Sequence, residues 1–104
     1  MSEQAQRIVK IQSALSNKPT YVRVDGDMSI DRIFNEAIMN LRNSGMALDA
    51  NSLEQLYKSH QIFANNLVVD KGQLFSELPT ERQMVGDQTI DVLELNLVTS
   101  HAGG

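Results

Sequence analysis

Residues able to do chemistry are few in this chain, and none stand at spacings that a reaction uses. His60 and His101 have no second histidine or carboxylate at ligand spacing, so His60 reads as a polar residue at an element boundary. No G-x-S-x-G, phosphate-loop or G-x-G-x-x-G pattern occurs. The acidic residues are scattered singly, with no pair set for general acid and base work. The stretch DGDMSID has the composition of a Ca²⁺ loop but lacks its ligand spacing and terminal glutamate, and it reads as a turn followed by a helix cap. The five methionines form no stripe and read as core filling. No catalytic residue and no metal ligand is assigned, and the chain is not expected to be an enzyme. What stands out is its end. An alternating run gives way to TSHA and then to Gly103 and Gly104. Glycine is the residue that orders least easily, and a pair at one given place arises by chance in about one chain in 200.

The composition narrows the classes of function. With 104 residues, the chain suits one domain with one modest core. Hydrophobic residues make up 41% and charged residues 21%, ordinary values for a globular protein. A formal net charge of −4 and nine scattered Lys and Arg argue against a nucleic-acid partner, which needs a dense basic face. No cysteine is present, so disulfides, thiolate metal sites and a cysteine nucleophile are excluded. MSEQAQR holds no apolar targeting region, and no apolar stretch approaches the roughly 20 residues of a membrane span. The expectation is a cytoplasmic protein with no membrane partner.

The elements that position this end follow from periodicity. RIVKIQSAL alternates with Val9 and Ile11 inward, and TYVRVD with Val22 and Val24 inward; the polar SNKP between them makes a hairpin. Ile30, Ile33, Phe34, Ala37, Ile38 and Leu41 recur at helical spacing over 29–43, with Ser29 as N-cap, Asp31 in the first turn and Gly45 as the stop. Ser52 and Gln55 suggest a capping box, and Leu53, Leu56 and Tyr57 share a face, which gives a short second helix. QIFANNLVVDKGQLF reads as two short strands closed by a turn, and SELPTERQ as irregular. TIDVLELNLV is a long last strand with Leu93, Leu95 and Leu97 on one face; Ile90 and Val92 fall out of step with them, which predicts a bulge or strand start near Val92. One helix laid across a mixed sheet buries a single core in two layers.

In this order the chain resembles the ubiquitin family. YVRVDGDMSIDRIFNEAI resembles the family's second strand, polar link and helix start. QIFANNLVVDKGQLFSEL resembles its third-strand run of apolar-Phe-Ala, a short strand, an acidic-basic-Gly turn and a Leu. TIDVLELNLVTSHAGG resembles its last strand running into Gly-Gly. These stretches cover about half the chain; the region 44–60 is longer than in ubiquitin itself. The resemblance implies an α+β, β-grasp fold, a mixed sheet of four to five strands with one main helix across it. It implies a flexible N-terminus over 1–6, the domain over 7–98 and a flexible tail over 99–104.

It also implies a modifier's role. An activating enzyme, using ATP and Mg²⁺, would adenylate the terminal carboxylate of Gly104. Cysteines of that enzyme and then of a conjugating enzyme would carry the chain as a thioester. An amine of a target protein would take it as an isopeptide, and a deconjugating protease is a further implied partner. No cofactor sits on the chain itself. Gly103 and Gly104, lacking Cβ, let an extended tail enter a narrow channel. The family's tail carries arginines before its glycines; here Ser100, His101 and Ala102 stand there, which implies a dedicated activating enzyme, like those encoded beside ubiquitin-like proteins in bacterial operons, some tied to phage defence. By position, Ile62, Ala64 and Val98 would form the family's apolar patch, and the other reading of Ile62 is core, because a short strand does not declare its buried side. Lys10, Lys18, Lys58 and Lys71 are either acceptors for chain building or solvated surface. Two other readings share the fold: a sulfur carrier working through a terminal thiocarboxylate, and a ubiquitin-like module that acts by binding alone.

Overall fold

Alternation at Val9, Ile11, Val22 and Val24 produces the hairpin that the sequence implies. A computed structural model of the chain describes residues 6–13 and 18–99. In it β1 (Gln6–Ser13) pairs antiparallel with β2 (Thr20–Val24), from Arg7↔Val24 to Ile11↔Thr20. The expected flexible segment 1–6 lies outside the described residues except for Gln6, which starts β1, and of the expected tail 99–104 only Thr99 is described.

α1 (Ile30–Asn43) forms where the period changes to that of a helix. Ser29 caps it, its side chain accepting from the Arg32 N–H at 3.2 Å. Its end is closed by the backbone: Gly45, at φ +80°, donates to the Arg42 carbonyl and Met46 donates to that of Leu41. This pair of bonds satisfies carbonyls that a helix end otherwise leaves open, and it needs the left-handed conformation that glycine adopts without strain. Ile30, Ile33, Phe34, Ala37 and Ile38 are buried along one stripe.

α2 (Ala47–Ser59) is longer than the sequence implies. It starts right after that turn, so Ser52 and Gln55 lie inside the helix and form no capping box. The tight Gly45 turn restarts the helix before a side-chain cap is needed, and Met46 at the N-cap makes no side-chain bond. α2 buries Ala50, Leu53 and Tyr57. It packs on α1, on β3 (His60–Ala64) and on β6 (Gln88–Thr99), so the helix layer holds two helices rather than one.

The sheet has six strands, completed by β4 (Leu67–Val69) and β5 (Glu81–Val85). Its order is β2-β1-β6-β3-β4, with β5 paired to β6 off that path. β1 and β6 run parallel from Gln6↔Ile90 to Ser13↔Leu97, and β3 and β5 lie antiparallel to β6. β3 and β5 share the edge of β6 opposite β1, one along each half of it. A single 3₁₀ turn, Phe75–Glu77, precedes β5. The β6 register is unbroken, so the bulge expected near Val92 is absent: Ile90 and Val92 take the face opposite Leu93, Leu95 and Leu97. β5 escaped the sequence reading because ERQMV has no buried face to give it a period. The result is an α+β domain with two helices over one face of a mixed sheet. Among the described residues no helix is long and apolar enough to cross a membrane.

Leu93, Leu95, Val9, Phe34, Ile30 and Ile33 are the fully buried centre of the core. Leu95→Ala is expected to cost about 2–5 kcal/mol, because a buried leucine leaves a cavity as well as lost transfer energy. Val98→Ala, on the other face of the same strand, should stay within about 0.5 kcal/mol. Urea unfolding followed by circular dichroism measures both.

Candidate functional site

The two residues after β3 decide which side chains face solvent at the end of the sheet. Asn65 and Asn66 have φ of +51° and +69°. That is the two-residue hairpin turn with both central residues left-handed, a conformation asparagine tolerates better than most side chains. It sets Ala64 opposite Leu67, Phe63 opposite Val68 and Ile62 opposite Val69. Ile62 also pairs with Leu97, and Phe63 with Asn96.

Ile62 therefore points into the core, as does Ala64, at 3% and 0% exposure. The patch expected from Ile62, Ala64 and Val98 does not exist as a surface; of the three only Val98 is exposed, at 44%. The physical reason is register. The Asn65-Asn66 turn pairs Ile62 with Val69 and β6 pairs it with Leu97, all inward, so Ile62 takes the core place that its other reading gave it, and neighbouring residues of a strand face opposite sides. Phe63 and Val68 take the outward places instead, the half-buried Phe63 beside β6 and the exposed Val68 one strand farther from Val98 on the open face. Sequence reasoning missed these two, and the signal that finds them is the Asn65-Asn66 pair itself.

Phe63, Asn66, Asn96, Val98 and Gln12 line a shallow hollow of about 610 Å³ on this face. Apolar side chains with amide groups around them suit a protein surface better than a reacting small molecule. Lys10 and Glu94 continue the face at 3.5 Å from each other, an exposed ion pair of little energetic weight. Ser100, His101, Ala102, Gly103 and Gly104 lie outside the described residues; the strand that leads to them ends beside the hollow, with Thr99 opposite His60.

Other polar groups are engaged in holding the fold. The Tyr57 hydroxyl donates to Asp31 Oδ1 at 2.6 Å, its ring stacks on Phe34 at 4.4 Å between centroids, and Lys71 Nζ lies 4.4 Å from the ring centre. Burial, together with the Asp31 carboxylate, drives the Tyr57 hydroxyl far above its usual pKa, so its proton stays in the bond that ties α2 to α1. Ser59 Oγ donates to the Gln55 carbonyl at 2.8 Å and lies 2.8 Å from His60 Nδ1. Among the described residues no group of His, Asp and Glu is placed to hold a metal ion. A second concavity of about 920 Å³ lies between the end of α1, α2 and the start of β2, with Leu41, Leu53 and Leu56 among its lining.

No protein-family model, no curated protein and no solved structure matches the chain.

Asp27, in the DGDMSID stretch, accepts from the Ser76 N–H at 3.0 Å and from the Ser76 hydroxyl at 2.7 Å. The Ser76 hydroxyl and N–H, and then Arg7, hold the Asp27 carboxyl below its usual value of 3.8. A carboxylate stabilised by folding supports the fold above its unfolded pKa, and that support is lost as pH falls through the lower folded value. Wild type should therefore exceed Asp27→Asn in stability at neutral pH, with the gap closing as pH falls below 3.8. Thermal unfolding of both proteins along a pH series measures this.

Proposed function

We propose that this chain is a ubiquitin-like protein modifier on a β-grasp fold. The observation that carries the reading is the course of β6. The last strand lies at the centre of the sheet, parallel to the first, and runs out beside an exposed apolar surface toward Ser100–Gly104. The antiparallel β1–β2 hairpin before α1, and the short β3–β4 hairpin after the helices, support it as well.

In this reading the Gly104 carboxylate attacks ATP held by an activating enzyme, forming an acyl adenylate and releasing pyrophosphate. A cysteine thiolate of that enzyme displaces AMP. Transfer to a conjugating enzyme keeps the thioester, and a target amine displaces the thiol to leave an isopeptide. Gly103 and Gly104 give the extended tail a width without side chains, and Ser100, His101 and Ala102 are what a dedicated activating enzyme reads. Phe63, Val68 and Val98 are the surface that partners grip, in place of the Ile62 and Ala64 that alignment by letters implies. The sites of action are cytoplasmic in this reading, and the sulfur-carrier and binding-module readings remain the outcomes that the test separates.

An N-terminally tagged chain is incubated in lysate of the source organism with and without ATP, intact and lacking Gly104. ATP-dependent heavier bands are expected for the intact chain alone, some cleared by reductant as thioesters and some surviving as isopeptides. A sulfur-for-oxygen mass change without adducts would instead establish a sulfur carrier; neither change would leave a binding module. Val68→Lys, at a position 59% exposed, should keep the unfolding midpoint near that of wild type and weaken capture of the enzymes about tenfold or more.

A further inference from the structure

β5 differs from every other strand in having no buried residue. Glu81, Arg82, Gln83, Met84 and Val85 are all exposed, as are Gly86, Asp87 and Gln88 in the turn after them. Its partner is β6, from Glu81↔Val92 to Val85↔Gln88. The outer side of β5 therefore offers main-chain N–H and C=O groups to solvent, which is a template for a further strand. The sheet's other edges are guarded: β4 has three residues, while β2 follows Pro19, carries Arg23 and packs against α1. β5 carries charges of its own in Glu81 and Arg82, but at five residues it is longer than β4, none of it is buried under a helix, and Met84 and Val85 stand 72% and 59% exposed.

We propose that β5 is a self-association edge that joins the β5 of a second copy, antiparallel, about a two-fold axis at Gln83. The turn fixes which groups point outward. Gly86, at φ +63°, and Asp87 form a two-residue loop, and such a loop closes on a hydrogen-bonded pair, here Val85 with Gln88. Hydrogen-bonded and open pairs alternate along an antiparallel ladder. Gln83 and Glu81 thus also bond to β6, and Met84 and Arg82 turn their main-chain groups to solvent.

A second β5 must set its outward groups opposite these. Arg82 opposite Arg82 places like charges together, which is unfavourable across strands. Met84 opposite Met84 overlaps only residues 83–85. Met84 opposite Arg82 overlaps the whole strand, sets Glu81 beside Val85 and sets Gln83 beside its own copy, with no like charges directly opposed. Each Arg82 is held by its own hairpin, Nε donating to Asp91 Oδ1 at 3.0 Å, and Glu81 offsets its charge. In this register each Glu81 and each Arg82 faces an uncharged residue of the other copy. Met84 lies against the aliphatic stem of the opposing Arg82, and paired Gln83 amides sit on the axis.

The test uses the full chain and the variants Gln83→Lys and Gln83→Glu, which change an exposed side chain and no main-chain bond. In sedimentation between about 10 µM and about 1 mM, wild type should rise from 11.6 kDa toward twice that mass. Each variant alone places like charges at the axis and should raise the dimer dissociation constant about fivefold or more. An equimolar mixture of the two, with opposite charges now facing, should restore association. A wild-type mass fixed at 11.6 kDa overturns the proposal, and so does a dimer that responds to neither variant, because it must use another surface.

Discussion

The parallel pairing of β1 with β6 is the contact on which the remaining structure rests. It joins residues 84 positions apart, Gln6 with Ile90 (90 − 6). In the described chain β2 hangs on β1, β3 and β5 hang on β6, and β4 is reached through β3. Its inward residues, Val9, Ile11, Leu93, Leu95 and Leu97, are at most 3% exposed and form the floor under the helices. Closing so long a loop adds only logarithmically to the entropy cost, but it delays the contact that the core needs. The hairpins β1–β2 and β3–β4 and the α1–α2 pair are local in sequence, while the pair that unites them is not.

Once that floor exists, the two faces of the sheet are fixed residue by residue. Leu97 on the core side places Val98 on the open side, and pairing with β3 then sends Ile62 inward and Phe63 outward. The helix layer covers one face only, so the outward set meets water: Lys10 and Glu94 in the middle, with Phe63, Val68 and Val98 at the end where the strand leaves the domain. An apolar surface at that end is a consequence of where β6 stops and of the Asn65-Asn66 turn.

Much of this was legible from period alone. The β1–β2 hairpin, the buried stripe of α1 with its Ser29 cap and Gly45 stop, and the Leu93, Leu95, Leu97 face follow from alternation or helical recurrence. What was not legible depends on distant partners. α2 starts at Ala47 because a backbone turn, not a side-chain cap, launches it. β5 has no period, since hydrogen bonds to β6 hold it and no burial does. Of the two readings of Ile62 the core one holds, and the sequence alone left both open because the phase of β3 is set by pairing with β6 and by the turn that follows. The tail could be read as composition only, and Ser100 to Gly104 lie outside the described residues.

β6 itself shows why a strand can exceed the core it serves. Its inward face reads Thr89, Asp91, Leu93, Leu95, Leu97, so the apolar floor begins at Leu93 and the earlier inward places are polar. Across from Asp91, Arg7 donates to the Gly26 carbonyl and its guanidinium lies over the Phe75 ring, which ends the core on that side with a charge. The helices have nothing apolar to cover before Leu93. What keeps residues 88–92 extended there is pairing with β5, and from Ile90 onward with β1 as well, at registers that overlap only at Ile90, Asp91 and Val92. Burial thus holds the half of β6 that leads to the chain's end, and hydrogen bonding holds the other. That first half, 88–92, can pair with a strand bearing exposed Met84 and Val85 without cost to the core, because no part of the core is built on them.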